Sequence, residues 1–286
     1  MNITPMSAPR HLCIALSLTL LPGLAACKKS RETTAPTEET TPAVTSSGAM
    51  RPTLPDQVAA PSGLDAAIMV LLGGDAQRAV DQLNQMRVAL GEDDETLAAR
   101  VAVSSWEVIA HCALLLPENG DDLIAEMQSW HARLERAGAA ETGSSGWMMA
   151  LATGVHLKAL GDFEASSDHL RTAASADNPW RALAEVWLAE ATLNAAYDDN
   201  NEKLEHPEKI DEAKPIYARA NTHASRDLVR GMALEGLALI AEMKRAPDEA
   251  CEFAREAKSA YEAAGASEYR LESPNITLEK NRCDES

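Results

Sequence analysis

The stretch that decides the fold runs from Gly154 to Pro179, GVHLKALGDFEASSDHLRTAASADNP. Its first part carries apolar residues at helical spacing and stops at Gly161, a residue that takes the left-handed conformation closing a helix. Asp162 follows, where a short carboxylate caps the free amides of a second helix. Gly154 on the first helix and Ser166 and Ala173 on the second are small, so the two backbones can approach closely. Pro179 ends the unit. The spacing predicts two antiparallel helices joined by a tight turn.

Outward from this unit the same phrase recurs. Gly74-Asp75 and Gly120-Asp121 match Gly161-Asp162, and each glycine is followed five positions later by a small residue: Ala79, Ala125 and Ser166. Ala213 and Ala250 extend the series, and the anchors lie 37 to 47 residues apart. Twelve positions before an anchor stands Ala67, Ala113, Gly154 or Ala238. Seven positions after it stands Ala132, Ala173, Ala220 or Ala257, with Met86 the exception. Helical periodicity covers Leu64 to about Arg270, as in Leu97-Val101-Val108-Leu115 and Leu183-Val186-Trp187-Leu193. Composition agrees. The chain has 286 residues, 52 of them alanine, with 4% aromatics, which suits closely packed helices and opposes an all-β sandwich. Apolar residues at 45% exclude a wholly disordered chain.

The anchor spacing resembles the tetratricopeptide repeat, whose paired helices meet through small residues at equivalent places. The family's period is 34 residues, shorter than every interval here. The resemblance implies an all-α fold: an α/α superhelical solenoid of about five antiparallel hairpins over residues 64–270, with a continuous core buried between neighbours. The alternative is an alanine-rich helical bundle without repeats. The fourth hairpin carries an insertion, Asp198 to Lys209 (DDNNEKLEHPEK), read as a solvated acidic loop because it lacks the ligand alternation and turn glycine of an EF-hand. Residues 271–286, with Pro274 and several charges, are expected to form a loosely ordered tail.

The N-terminus reads as an address. Arg10 and His11 precede the ten-residue apolar run Leu12 to Leu21, about half of what a membrane-spanning helix needs. Leu24-Ala25-Ala26-Cys27 resembles the lipobox of bacterial lipoproteins. That resemblance implies a signal peptide over residues 1–26, acylation (palmitate included) of Cys27 as the mature N-terminus, and, with Lys28 rather than Asp next, the outer membrane, facing the periplasm. The alternative is a cleaved signal releasing a soluble periplasmic protein. Residues 27–63 are rich in Thr, Pro, Ser and Glu, with prolines at 36, 42, 52, 55 and 61, and read as a disordered tether. A flexible chain of this length spans roughly 30–36 Å.

Candidate chemistry is sparse. Cys13 leaves with the signal and Cys27 is the lipid site, so Cys112, Cys251 and Cys283 remain. Cys112, in VIAHCALLL, reads as a buried core residue, and Cys251 with Cys283 is the pairing to test. Glu107 with His111, and His131 with Glu135, are four apart and share a helix face. Two ligands fall short of a zinc site, so surface pairing is the expectation and no metal or cofactor is implied. No GxSxG, P-loop, strand-led GxGxxG, CxxC or HExxH occurs, and Ser104-Ser105 and Ser144-Ser145-Gly146 lack an assignable base. Asn275-Ile276-Thr277 matches a glycosylation sequon of little meaning in a bacterial lipoprotein. Five tryptophans lie in or beside helices. Packing between hairpins is the ordinary role, and Trp106, Trp147 and Trp187 are the candidates for lining a partner groove.

The net charge is −18, and Leu64 to Arg270 holds 36 acidic against 19 basic residues. This disfavours nucleic acid and favours basic or neutral partners. The reading is a non-enzymatic, membrane-anchored adaptor of the cell envelope, binding another envelope protein or peptide in the repeat groove and touching the bilayer only through Cys27. The rival is an enzyme or small-ligand-binding protein built on an α/α helical array.

Overall fold

The computed structural model describes residues 62–91, 93, 96–136, 145–197 and 203–283. The signal segment, Cys27 and the tether lie outside the described residues, as do 137–144 and 198–202. Among the described residues there are eleven α-helices: α1 Leu64–Leu72, α2 Ala76–Ala89, α3 Leu97–Ala113, α4 Asp121–Arg136, α5 Ser145–Ala159, α6 Phe163–Ser175, α7 Arg181–Asn194, α8 Glu208–His223, α9 Asp227–Met243, α10 Pro247–Ala263 and α11 Glu268–Lys280. One short 3-10 turn, Pro117–Gly120, leads into α4, and a single bridge joins Tyr197 to Leu204 across the α7–α8 insertion. The fold is all-α.

Each helix packs on the next in sequence, and each odd-numbered helix also packs on the next odd-numbered one. Two layers result. The odd helices from α1 to α9 form the inner layer because their sequences are apolar on most sides, whereas α11 is polar and closes the end of the array. In α3 (LAARVAVSSWEVIAHCA) 14 of 17 residues are buried, and a helix hydrophobic all round must be enclosed. The even helices show a single stripe and lie outside; α2 buries only Ala79, Val80 and Leu83.

The turns follow local chemistry. Gly74 and Gly161 adopt φ of 104° and 84°, and Asp75 and Asp162 each accept a hydrogen bond from the amide three residues on, at Arg78 and Ala165. The proposed close approach is present where the sequence is clearest: Ser166 Oγ donates to Gly154 O at 2.7 Å, and a Cβ at Gly154 would lie 2.6 Å from Leu170 Cγ. Ala79, Ser166, Ala213 and Ala250 are all fully buried.

The third phrase behaves differently. Gly120 ends the 3-10 turn, and Asp121 is already helical rather than a cap. The left-handed residue of this turn is Leu115, φ 66°. The register of α4 shifts accordingly: Leu123, Met127 and Leu134 face inward, while Ala125 and Ala132 are exposed. A second expectation fails at the C-terminus, where residues 268–280 form α11 instead of a loose tail. Pro274 sits inside it, buried, and a disulfide from Cys251 to Cys283 fastens its end to α10, with Cα atoms 5.5 Å apart. The Arg255 guanidinium donates to Cys283 O, and Lys280 and Asn281 both bond Glu242.

The array curls until its ends meet. Arg226, at the start of α9, bonds Asp65 of α1 at 3.3 Å and touches Met69 Sδ at 3.5 Å. Ser267 Oγ and Arg270 Nε donate to Gly73 O and Leu72 O at 2.6 and 2.9 Å. The carbonyls of Leu72, the last residue of α1, and of Gly73, its cap, are thus satisfied from nearly 200 residues away, while the adjoining turn satisfies those of Met69, Val70 and Leu71.

Candidate functional site

Closure of the array decides where the tryptophans go. Trp106 of α3 and Trp187 of α7 are each 1% exposed. Their ring centroids lie 6.4 Å apart, and Trp180 packs edge-on against Trp106 at 5.1 Å. An anchor for a partner must be reachable, so Trp106 and Trp187 are core residues and not the lining of an open groove. Trp147 is half-buried against the same core. Two arginines cover the outer rings, Arg226 at 4.2 Å from the Trp180 centroid and Arg100 at 4.7 Å from that of Trp130.

Between α1, α3, α7 and α9 lies a cavity of about 330 Å³. Leu71 and Leu72 of α1, Ile109 of α3, Trp187 of α7 and Met232 of α9 supply apolar walls. The end of α3 (Ala113, Leu114), the turn into α2 (Gly74 to Gln77) and the first turn of α11 (Tyr269, Arg270) complete it, and its charged groups are Asp75, Glu190 and Arg270. A much smaller void, also bounded by Glu190, Met232 and Arg270, leads to Tyr217 and Glu235.

The charges around these voids are unequal in their pairing. Glu190 is bound by Lys158 of α5, both nearly buried. Glu235 is buried and accepts from Tyr261 Oη; burial pushes its carboxyl pKa up, opposed by the Tyr261 hydrogen bond and the Arg270 charge. Burial, with Glu235 and Glu190 adding to it, raises Tyr217 and Tyr261 well above the ordinary phenol. Arg270 is half-buried and gives its Nε to Leu72 O. Its two Nη groups have no hydrogen-bond or ion-pair partner among the described residues.

Sequence reasoning did not single out Lys158, Glu190, Glu235 or Arg270. The signal was there for two of them, since Glu190 and Glu235 lie inside the otherwise apolar runs ALAEVWLAEATLN and GMALEGLALIAEM, where a carboxylate must find a partner.

The other candidates resolve into structural pairs. Glu107 is 2% exposed and receives Arg87 through two hydrogen bonds, at 2.7 and 3.3 Å, and that bond raises the Arg87 pKa. Desolvation lowers the pKa of His111, which sits one turn further on. Glu185 is enclosed by His223 at 2.8 Å with Arg181 and Arg219 beyond. His131 Nε2 lies 3.5 Å from Glu135, and its Nδ1 lies 3.3 Å from Ser145 Oγ. This serine–histidine–acid arrangement presents no nucleophile to a substrate, because Ser145 is 2% exposed. Cys112 is buried and free, and burial pushes its thiol up to about 12, so it stays protonated and inert. Among the described residues no group of three His, Cys, Asp or Glu side chains is placed to hold a metal, and no helix is long and apolar enough to cross a membrane.

The chain matches no protein-family model, and neither curated proteins nor solved structures give a match.

One surface feature stands apart. The turn after α3 exposes Leu115 and Leu116, each 40%, and the turn after α5 exposes Leu160, 55%. Asp121, which follows the first turn, bonds His156 in the last turn of α5 at 2.9 Å, so the two turns are neighbours. Glu118, Asp121, Asp122, Asp162 and Glu164 follow the leucines closely along the chain and are exposed, whereas Lys158 is buried.

Proposed function

We propose that this protein is a membrane-anchored interaction adaptor of the bacterial cell envelope, a tetratricopeptide-like solenoid tethered through acylated Cys27 to the outer membrane and facing the periplasm. The alternation of inner odd and outer even helices supports the repeat reading, and the Cys251–Cys283 bridge fits an oxidising compartment. The partner is another envelope protein or peptide. It docks on the turn edge, since the tryptophan face is closed.

The observation that carries this reading is Leu115. A left-handed backbone disfavours a side chain by about 1 kcal/mol or more, and the matching turns use Gly74 and Gly161 or, after α9, the charged and exposed Arg245. Strain kept at an exposed apolar residue points to use of that residue. With Leu116 and Leu160 it forms an apolar patch followed closely along the chain by exposed acids, which fits a basic segment bearing apolar side chains.

The test is cross-linking in envelope extracts with the mature chain carrying Cys27→Ser. Leu115→Gly is expected to raise stability by about 0.5–1 kcal/mol while weakening capture of the partner, and Leu116→Asp with Leu160→Asp to abolish capture without changing the melt. Unchanged capture by the double variant, or no stoichiometric partner for the parent chain, would refute the reading.

A further inference from the structure

We propose that the central cavity is a binding site for a small apolar monocarboxylic acid, its carboxylate held by the Nη groups of Arg270 and its hydrocarbon body enclosed by Leu71, Leu72, Ile109, Trp187 and Met232. The inference is independent of the adaptor reading, because it concerns the interior and not the turn edge.

Three observations carry it. The first is size and lining: about 330 Å³ falls at the lower end of small-molecule sites, with the mostly apolar walls and few polar groups such sites have. A body of about ten heavy atoms suits that volume.

The second is the state of Arg270. Its Nε is fixed on Leu72 O, which orients the guanidinium plane, and its two Nη groups meet no acceptor among the described residues. The guanidinium fork matches a carboxylate through two parallel hydrogen bonds.

The third is that the acids near it are already committed. Glu190 is neutralised by Lys158, Glu235 accepts from Tyr261, and Asp75 Oδ1 caps the amide of Arg78. None of these acids bonds the Arg270 Nη groups, although the Glu235 carboxyl feels the Arg270 charge through space, so the guanidinium fork is left for the carboxylate of a ligand with an apolar body. A zwitterion would need a second, free carboxylate for its ammonium group. Tyr269, 48% exposed, packs over Gly74 at the mouth, where a Cβ on the glycine would lie 3.3 Å from its ring. That is the place for a small ligand to enter.

The probes are sodium octanoate, 1-octanol and L-leucine, titrated calorimetrically into the mature Cys27→Ser chain with its disulfide intact. Octanoate is expected to bind once per chain and octanol at least tenfold more weakly. Arg270→Gln should weaken octanoate by about 10- to 100-fold and leave octanol unchanged, while Arg270→Lys keeps part of the affinity. Ala113→Phe, which fills the cavity from α3 without touching Arg270, should block both. Near-UV circular dichroism checks that each variant folds, and if Arg270→Gln does not, the Lys and Phe variants decide. No octanoate binding at millimolar concentration, equal binding of octanol, or octanoate affinity indifferent to Ala113→Phe would overturn the proposal. Tighter binding of leucine than of octanoate would also overturn it, by giving Glu190 the role of an ammonium acceptor.

Discussion

Removing the Cys251–Cys283 bridge should release α11 before the rest of the protein unfolds. Of its thirteen residues α11 buries only Pro274 fully, so its own packing holds it weakly. The bonds from Lys280 and Asn281 to Glu242 are 2.7 and 2.8 Å, but Lys280 is half-exposed, and a bond of that kind contributes about 1 kcal/mol or less. The covalent link closes a loop of 32 positions, for which the chain-entropy relation gives about 3–4 kcal/mol. In a domain of this size each kcal/mol moves the melting temperature by roughly 2–4 °C, so Cys251→Ser with Cys283→Ser should melt about 6–16 °C lower. Differential scanning calorimetry of oxidised, reduced and double-serine protein gives the shift. Hydrogen exchange gives its location: protection over residues 268–280 should fall first, while α3 and α7 keep theirs. Melting within 2 °C of the oxidised protein, or exchange lost evenly across all helices, would show that α11 is held by its packing and that the bridge is incidental.

Two further outcomes follow from the core. Gly236→Ala would put a methyl group 2.3 Å from Cε1 and Cζ of Tyr217, a buried ring that cannot swing away, so the urea midpoint should fall by the equivalent of about 1–3 kcal/mol despite alanine's better helix propensity. Glu235→Gln should remove a pH dependence. Because burial raises the folded-state pKa of Glu235, its stability contribution is whole below the ordinary carboxyl value of 4.5 and is lost as pH rises through the elevated one. The variant's advantage in urea midpoint over the parent should therefore grow between pH 4 and pH 8; an advantage that shrinks over that range would contradict the burial of an ionisable group there.

What could be read from the sequence was local. Gly161-Asp162 and Gly74-Asp75 state their turn chemistry within two residues, and the small residues at 154 and 166 state a close approach within twelve. Gly120-Asp121 carries the same letters yet means something else, because Pro117 starts a 3-10 turn and the preceding helix has already ended at Ala113, with Leu115 as the left-handed residue beyond it. The register of α4 depends on where α3 stops, and the dipeptide does not encode that. Pro274 suggested a tail for a similar reason: a proline removes one helical hydrogen bond, but the disulfide and the Glu242 contacts that hold α11 in place come from α9 and α10. The site was least legible. Arg270 is one basic residue among many until α1 arrives to take its Nε, and Asp65 and Arg226 stand 161 positions apart.

That closure also explains why the aromatic face is not a groove. Arg226 binds Asp65 and lies over Trp180, Trp180 meets Trp106 edge-on, and Trp106 leads to Trp187 at the cavity wall. The tryptophans that a concave binding surface would display are instead used up in joining the second hairpin to the fourth, and Arg226 of the fifth ties them to the first through Asp65. The join is polar and thin. Asp65 is 73% exposed, so its ion pair contributes at most about 1 kcal/mol, and the bonds from Ser267 and Arg270 to the α1 carbonyls contribute about 0.5–1.5 kcal/mol each. Against that stand Trp106, Trp187, Leu183 and Leu151, each fully buried between neighbouring hairpins. The seam between α1 and α11 is consequently the place where the array opens at least cost, and it borders the cavity on two sides. Strengthening the core would leave access to the cavity unchanged, whereas loosening the hold on α11 would alter it directly.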